Sequence, residues 1–438
     1  RNIKNITPIK IKDPTYVDLY SPWDLKKIGK VECISKKEVD QILDVSSNAF
    51  KNNKKYLSKI KRLEILKNCR KKLLKNSRKF TNIIALEGGK PLKDSKIEVE
   101  RAVNGLELCA EALKKSHGTE IPMNINKASV NKIAFTRKFP VGPVLAISAF
   151  NHPLNLVIHQ IGPAIAAGCP IIIKPSLETP VSCYEFIKLL LESGLPKEFC
   201  QMVNIKNHII TQKFVKDPRI SFLSFIGSSD VGWKLKTMMP PGAKCAMEHG
   251  GVGSVIIDKD ADIQKILPSI LRGAFYHAGQ VCVSIQKVII HEDLIDQFTE
   301  LIKKAILKIK VGDPRKITTD VGPLIRPSEV KRIDKVIKKS ISEGAELICG
   351  GFAKNETTYE CTVLKNPKEN STVSSHEIFG PVLCLYSFNT IDEAIQKANH
   401  DKFAFQSSVY TKNIDTAILC YENLDAKSVF INEQTAFR

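Results

Sequence analysis

Hydrophobic positions along this chain follow a helical period first and a strand-and-helix alternation afterwards. Ser35 followed by Glu38 is a capping-box pattern that opens a helix through Ile42 towards Phe50. Leu63, Leu66, Cys69, Leu73 and Leu74 keep a helical period to about residue 80. Ile97, Val99, Ala102, Leu106 and Leu113 do the same over 94–115. Residues 1–120 therefore predict a mainly helical segment after a short extended start.

Beyond residue 128 the texture changes. Loose alternation over 128–139 suggests a strand, and short apolar runs at 144–147, 171–173, 201–203 and 221–225 read as buried strands. Helical patterns at 153–167, 181–192 and 209–215 lie between them. After Gly250 the alternation resumes, with strands at 254–257, 285–290, 382–388 and 407–410. Helices are expected at 267–278, 294–307, 328–343 and 391–398, with a turn at Gly350-Gly351. Strands alternating with helices of these lengths predict parallel sheets with helices on their faces. A boundary between two α/β domains falls near Gly250-Gly251. The run 141–173 lacks Asp, Glu, Lys and Arg, yet prolines at 143, 153, 163 and 170 and the polar Asn151, His152 and Asn155 interrupt it. It reads as strand, loop, helix and strand in a core, not as a membrane span.

Composition adds limits. The chain has 438 residues, 43% hydrophobic and 26% charged, which fits a globular protein of several domains and excludes disorder for its bulk. The net charge of +20 comes mainly from Lys dispersed along the chain, whereas nucleic-acid readers lean on Arg. A solvated basic surface is the reading, with no nucleic-acid partner and no membrane. The 12 cysteines show no CxxC and no zinc-ribbon spacing, so no metal is expected. Their spread suits a reducing compartment, the cytoplasm, with an organelle left open.

Several residues carry candidate chemistry. Cys282 follows a Gly-containing turn at the end of a helix, and Glu248 precedes Gly250-Gly251, where the backbone can approach a ligand closely. Asn151 is an amide in an apolar run, and Lys174 ends a buried strand where ligands of parallel sheets bind. Gly227-Ser228 turns from a strand into a helix start, a place for a pyrophosphate, although no GxGxxG is present. Glu377-Ile378-Phe379-Gly380-Pro381-Val382 alone would pass as a loop leading into a strand.

Taken in order, these segments resemble the aldehyde dehydrogenase superfamily. The resemblance rests on Pro140-Val141-Gly142-Pro143, Phe150-Asn151-His152-Pro153, Lys174-Pro175-Ser176, Phe225-Ile226-Gly227-Ser228 and Glu248 with Gly250-Gly251. It continues through Gly279-Gln280-Val281-Cys282, Gly312-Asp313-Pro314, Val321-Gly322-Pro323-Leu324 and Glu377 to Val382. It implies a Rossmann-type dinucleotide-binding domain from residues 1–118 and 139–249, oligomerisation strands at 119–138, and an α/β catalytic domain over 250–438. It also implies oxidation of a small aldehyde to an acid with NAD, with NADP left open, in a homodimer or homotetramer.

By the same resemblance, Cys282 is the nucleophile, Asn151 and the Cys282 N–H form the oxyanion hole, and Glu248 activates water. Lys174, Gly227, Ser228, Gly250, Gly251, Glu377 and Phe379 would hold the cofactor. The sequence departs from the family pattern in several places. Leu177 stands where NAD-using members often carry Glu, with Glu178 one place later. His249 replaces an apolar residue, and packing is favoured for it over tuning of Glu248. Phe150 stands where Trp is common. The chain stops at Arg438, soon after Val429-Phe430-Ile431-Asn432, so the family's C-terminal segment is expected to be lacking. Val281 and the residues around Tyr276 suggest small hydroxyaldehydes such as lactaldehyde. The alternatives are a CoA-acylating member of the family and a catalytically retired binding or structural protein on the same fold.

Overall fold

A computed structural model describes residues 1–52 and 57–436. Two sheets dominate. The first has five strands, all parallel, in the spatial order Lys244–His249, Phe222–Gly227, Val144–Ile147, Ile171–Lys174, Cys200–Met202. The chain runs outward from Val144–Ile147 to one edge, then returns to the other side. The strand order therefore reverses between Val144–Ile147 and Phe222–Gly227, and a crevice opens at their C-terminal ends, where open α/β sheets bind ligands. Val144–Ile147 and Ile171–Ile173 are buried throughout, which is why they read as unbroken apolar runs.

The second sheet has seven strands, in the order Glu346–Cys349, Thr362–Lys365, Val382–Phe388, Ile285–His291, Gly253–Ile257, Gln406–Tyr410, Ser428–Ile431. Only the Glu346–Cys349 edge runs antiparallel to its neighbour. Each large sheet packs on its own apolar core, one built around Ile171, Ile173 and Phe186, the other around Ile289, Phe298 and Leu385.

Three expectations are revised. The extended start is a three-stranded sheet of Asn2–Ile3, Thr15–Tyr20 and Lys27–Cys33, whose alternating buried and exposed positions carry a strand signal the charged residues mask. The helix expected to run on to residue 80 is two, Lys59–Lys75 and Ser77–Gly88. Between them the Asn76 side chain donates to the Lys72 carbonyl at 2.8 Å, competing with the ladder that would continue the helix. The strand expected over 128–139 shrinks to Ala134–Phe135, paired antiparallel with Glu120–Ile121, while Lys127–Ser129 forms a helical turn. The uncharged run 141–173 is strand, loop, helix Asn155–Ala167 and strand. No helix among the described residues is long and apolar enough to cross a membrane.

Candidate active site

The C-terminal ends of the first sheet face the loops that precede strands Ile285–His291 and Val382–Phe388, and a cavity of about 710 Å³ lies between them. Asn151, Lys174, Gly227, Ser228, Glu248 and Gly250 line it from the first sheet, and Cys282, Glu377 and Phe379 from the second. Gly251 stands just behind the wall. A Cβ there would lie 2.1 Å from the Phe403 carbonyl oxygen, so that backbone approach excludes any side chain.

Cys282 owes its place to an unusual turn. His277, Ala278 and Gly279 all have left-handed φ, at 50°, 55° and 69°. At Gly279 a Cβ would meet the Gly380 carbonyl oxygen at 2.0 Å, so glycine is required there. The turn is fixed by Gln280, whose Nε2 donates to the His277 and Pro323 carbonyls at 3.2 Å each and whose Oε1 accepts from Ile325 N at 2.9 Å. The Gln280 carbonyl in turn accepts from Asn151 Nδ2 at 3.0 Å. Asn151 is 4% exposed, so this bond sets its amide against the backbone that presents Cys282. Cys282 itself is half-buried and faces the cavity.

The loop carrying Asn151 is anchored from below. Glu98 accepts from Leu154 N and Asn155 N at 3.0 and 3.2 Å, capping helix Asn155–Ala167, and its other oxygen pairs with the wholly buried Lys90. Burial pushes the Lys90 pKa down. Glu248 stands near the end of strand Lys244–His249, beside the crevice. The next residue, His249, lies edge-on to Phe403 at 4.8 Å and to Trp233 at 6.1 Å, with Nδ1 2.9 Å from the Gly250 carbonyl oxygen. His249 is thus packed against aromatic rings while also lining the cavity.

The residues lining the cavity fit a dinucleotide. Glu377 is a largely buried carboxylate whose Oε1 has no hydrogen-bond partner, and burial raises its pKa to about 7. Such an atom calls for a donor such as a ribose hydroxyl. A Cβ on Gly250 would lie 1.8 Å from that oxygen, so the glycine leaves the carboxylate its place. Ser228 caps helix Ser229–Lys236 with extended backbone but makes no side-chain capping bond, so its hydroxyl and the first helical N–H groups suit a pyrophosphate. Phe379 has φ 52° and packs edge-on against Phe150 at 5.7 Å, joining the two halves of the cavity wall. Burial lowers the Lys174 pKa, which an anionic partner would offset. Among the described residues no group of three or more His, Cys, Asp or Glu is placed to hold a metal ion.

Sequence reasoning missed some of the wall. Arg101, Glu329 and Arg332 also line the cavity, as does Tyr276, already singled out for the substrate. A signal existed for Arg101: Asp94 and Glu98 share the buried side of helix Leu92–Lys115 with Val99 and Ala102, and charges on an apolar face need partners. Tyr276 lies beside them, with Arg272 over its ring at 5.5 Å and its hydroxyl 3.4 Å from His152 Nε2.

A half-buried cysteine, an amide bonded to its turn and a carboxylate thus line one crevice. The chain belongs to the Aldehyde dehydrogenase family, whose profile matches residues 10–438, and it is an NAD(P)-dependent aldehyde dehydrogenase that yields a carboxylic acid. It is similar to the 3-sulfolactaldehyde dehydrogenase of Priestia aryabhattai, 31% identical over 96% of this chain and 87% of that one. It is also similar to the lactaldehyde dehydrogenase of Methanococcus maripaludis, 33% identical over 96% of this chain and 90% of that one. Among solved structures, the glyceraldehyde-3-phosphate dehydrogenase of Methanocaldococcus jannaschii, complexed with NADP, superposes with a TM-score of 0.92. It is 31% identical, and the match covers 98% of this chain and 92% of that one.

Proposed function

We propose that Cys282 attacks the aldehyde carbon, that Asn151 and the Cys282 backbone N–H hold the resulting oxyanion, and that Glu248 activates the water that releases the acid. The observation that carries this reading is the bond from Asn151 Nδ2 to the Gln280 carbonyl, which ties the amide to the turn presenting the thiol. The thiol sulfur bonds to the carbonyl carbon and its proton passes to solvent or to Glu248, giving a thiohemiacetal. A dinucleotide held in the crevice would supply the hydride acceptor for this oxidation, which would leave a thioester on Cys282. Glu248 then takes a proton from water, the hydroxide adds to the thioester, and the C–S bond breaks to give acid and thiol. Glu377 would hold the nicotinamide ribose, Phe379 would pack beside it, and Gly250 and Gly251 would leave the ring room. Gly227 and Ser228 would hold the pyrophosphate, and Lys174 the adenosine ribose.

In this reading residues 1–118 and 139–249 form the cofactor-binding domain and 250–438 the catalytic domain. The pair of short strands within 119–138 is the surface for a homodimer or homotetramer, supported by Ile133 and Phe135, which are 87% and 74% exposed. All 12 cysteines are free, which supports a reducing, cytoplasmic setting. For substrate we favour a small hydroxyaldehyde bearing an anionic group. Arg101 supports this by lining the cavity with Cys282 and His152, as does the likeness to lactaldehyde and 3-sulfolactaldehyde dehydrogenases. The presence of Glu248 in the cavity wall favours hydrolysis over transfer to CoA.

The test is reduction of NAD(P)+ across a panel of lactaldehyde, its anionic derivatives, long aliphatic aldehydes and aromatic aldehydes, with and without CoA. Preference for the small hydroxyaldehydes, free acid as product and loss of all activity in Cys282→Ala are expected. Strict preference for long or aromatic aldehydes rejects the substrate reading, and a CoA thioester as product rejects hydrolysis.

A further inference from the structure

The loop over 399–405 joins helix Ile391–Ala398 to strand Gln406–Tyr410 and packs behind the end of the crevice that holds Glu248. The Phe403 carbonyl accepts from Val252 N at 3.1 Å and fills the space a Gly251 side chain would need. The Phe403 ring meets His249 edge-on at 4.8 Å and stacks on Trp233 at 6.3 Å. Glu248, His249 and Gly250 line the cavity, so the backbone at Phe403 sets where this stretch of wall ends.

Two residues before Phe403, Asp401 turns into the interior. Its Oδ2 accepts from Lys287 Nζ at 2.5 Å, and the Lys287 and Asp401 side chains are 4% and 2% exposed. Lys287 stands on strand Ile285–His291, the strand into which the Cys282 turn leads. Its ammonium lies 5.9 Å from the centre of the Tyr386 ring. Neither Lys287 nor Asp401 lines the cavity. The other carboxylate oxygen, Asp401 Oδ1, is buried without a hydrogen-bond partner. A buried pair satisfied on one side only adds little net stability, because desolvation offsets the attraction. What it does add is register, a charge-assisted bond of fixed length and direction that an apolar contact lacks.

Resting on the reading of the site above, we propose that Lys287 and Asp401 are a positioning pair that fixes Phe403 against Gly251, and with it the distance over which hydride passes from the Cys282 adduct to the nicotinamide. The pair links the two sides of that transfer. Lys287 belongs to the strand that follows the nucleophile, and Asp401 belongs to the loop that holds the Gly250-Gly251 segment in place. Misplacement of reacting groups by about 1 Å can cost about a hundredfold in rate.

The test is the double variant Lys287→Met with Asp401→Leu, an apolar pair of similar volume, which should fold because such replacements are often neutral. NAD(P)+ reduction is followed with the aldehyde turned over fastest and with its 1-deuterated form, alongside thermal unfolding. Expected are a fall in kcat of about ten- to a hundredfold, a smaller change in KM, a deuterium isotope effect on kcat well above one, and an unfolding midpoint close to that of the unaltered chain. A fall of about threefold or more with that isotope effect supports the pair as a positioning device. A smaller fall overturns it, as does a fall without an isotope effect, which would place the damage in another step. Failure of the variant to fold also overturns it, since the pair then serves stability alone. An unaltered chain that reduces no cofactor with any aldehyde overturns the site reading and the pair together, an outcome distinct from an active chain whose variant is unchanged.

Discussion

Glu377 holds a carboxylate oxygen in the cavity wall without a partner, and its pKa rises to about 7 because burial penalises the charge. Relative to a carboxyl at its ordinary 4.5, the buried group favours the folded state in acid and withdraws that support as pH climbs through about 7. Ribose hydroxyls donate best to the ionised form, so binding must pull the proton off. Cofactor affinity is therefore expected to rise with pH between about 6 and 8, with release of part of a proton near neutrality. Titration calorimetry in buffers of different ionisation heat measures both. In Glu377→Gln the affinity should fall and its pH dependence flatten, whereas pH-independent binding by the unaltered chain would remove Glu377 from the ribose site.

Helix Asn155–Ala167 begins on a borrowed cap. Glu98 reaches across from helix Leu92–Lys115 to the Leu154 and Asn155 N–H groups while pairing with Lys90. Removing one partner of a buried pair leaves the other charge uncompensated, typically at about 3–5 kcal/mol. Glu98→Ala should lose about that much in urea denaturation, whereas Lys90→Met with Glu98→Gln should recover part of it. A loss below about 1 kcal/mol in the single variant would show that the pair does not anchor the Asn151 loop.

At the scale of elements the sequence was readable where strands are buried on both faces or a helix keeps one regular apolar face. Strands Val144–Ile147 and Ile171–Lys174 and helix Ile391–Ala398 could be read directly from their apolar runs and periods. Strand Lys244–His249, which carries Glu248, was not, because it is a half-exposed edge strand with Lys244, Glu248 and His249 in it. Thr362–Lys365 was hidden because only Val363 and Leu364 are apolar in it, and Ser428–Ile431 by its half-exposed edge position. In the site, ordered motifs located Cys282, Asn151 and Glu248. Arg101 and Glu329 escaped because each reaches the cavity from the middle or the first turn of a helix rich in charged residues, where one more charge carries no mark of its own.

Over the whole molecule, the cavity is shared between residues that follow strands of the two sheets. The strand pair Glu120–Ile121 and Ala134–Phe135 projects with Ile125, Ile133, Phe135 and Phe139 exposed, more apolar surface than a solvated arm needs. Light scattering coupled to size exclusion is expected to show a dimer or tetramer, and Ile133→Lys with Phe135→Lys should shift it to a smaller species. A monomer before substitution would contradict that role.

The central claim is that Cys282 carries the acyl group between hydride transfer and hydrolysis, and Glu248→Gln isolates that step. The variant is mixed with lactaldehyde and NADP+, quenched in acid, digested and analysed by mass spectrometry. The account predicts a burst of about one reduced cofactor per chain and the acyl mass on the peptide containing Cys282. Acyl mass on another of the cysteines, or undiminished turnover in Cys282→Ala, would contradict it.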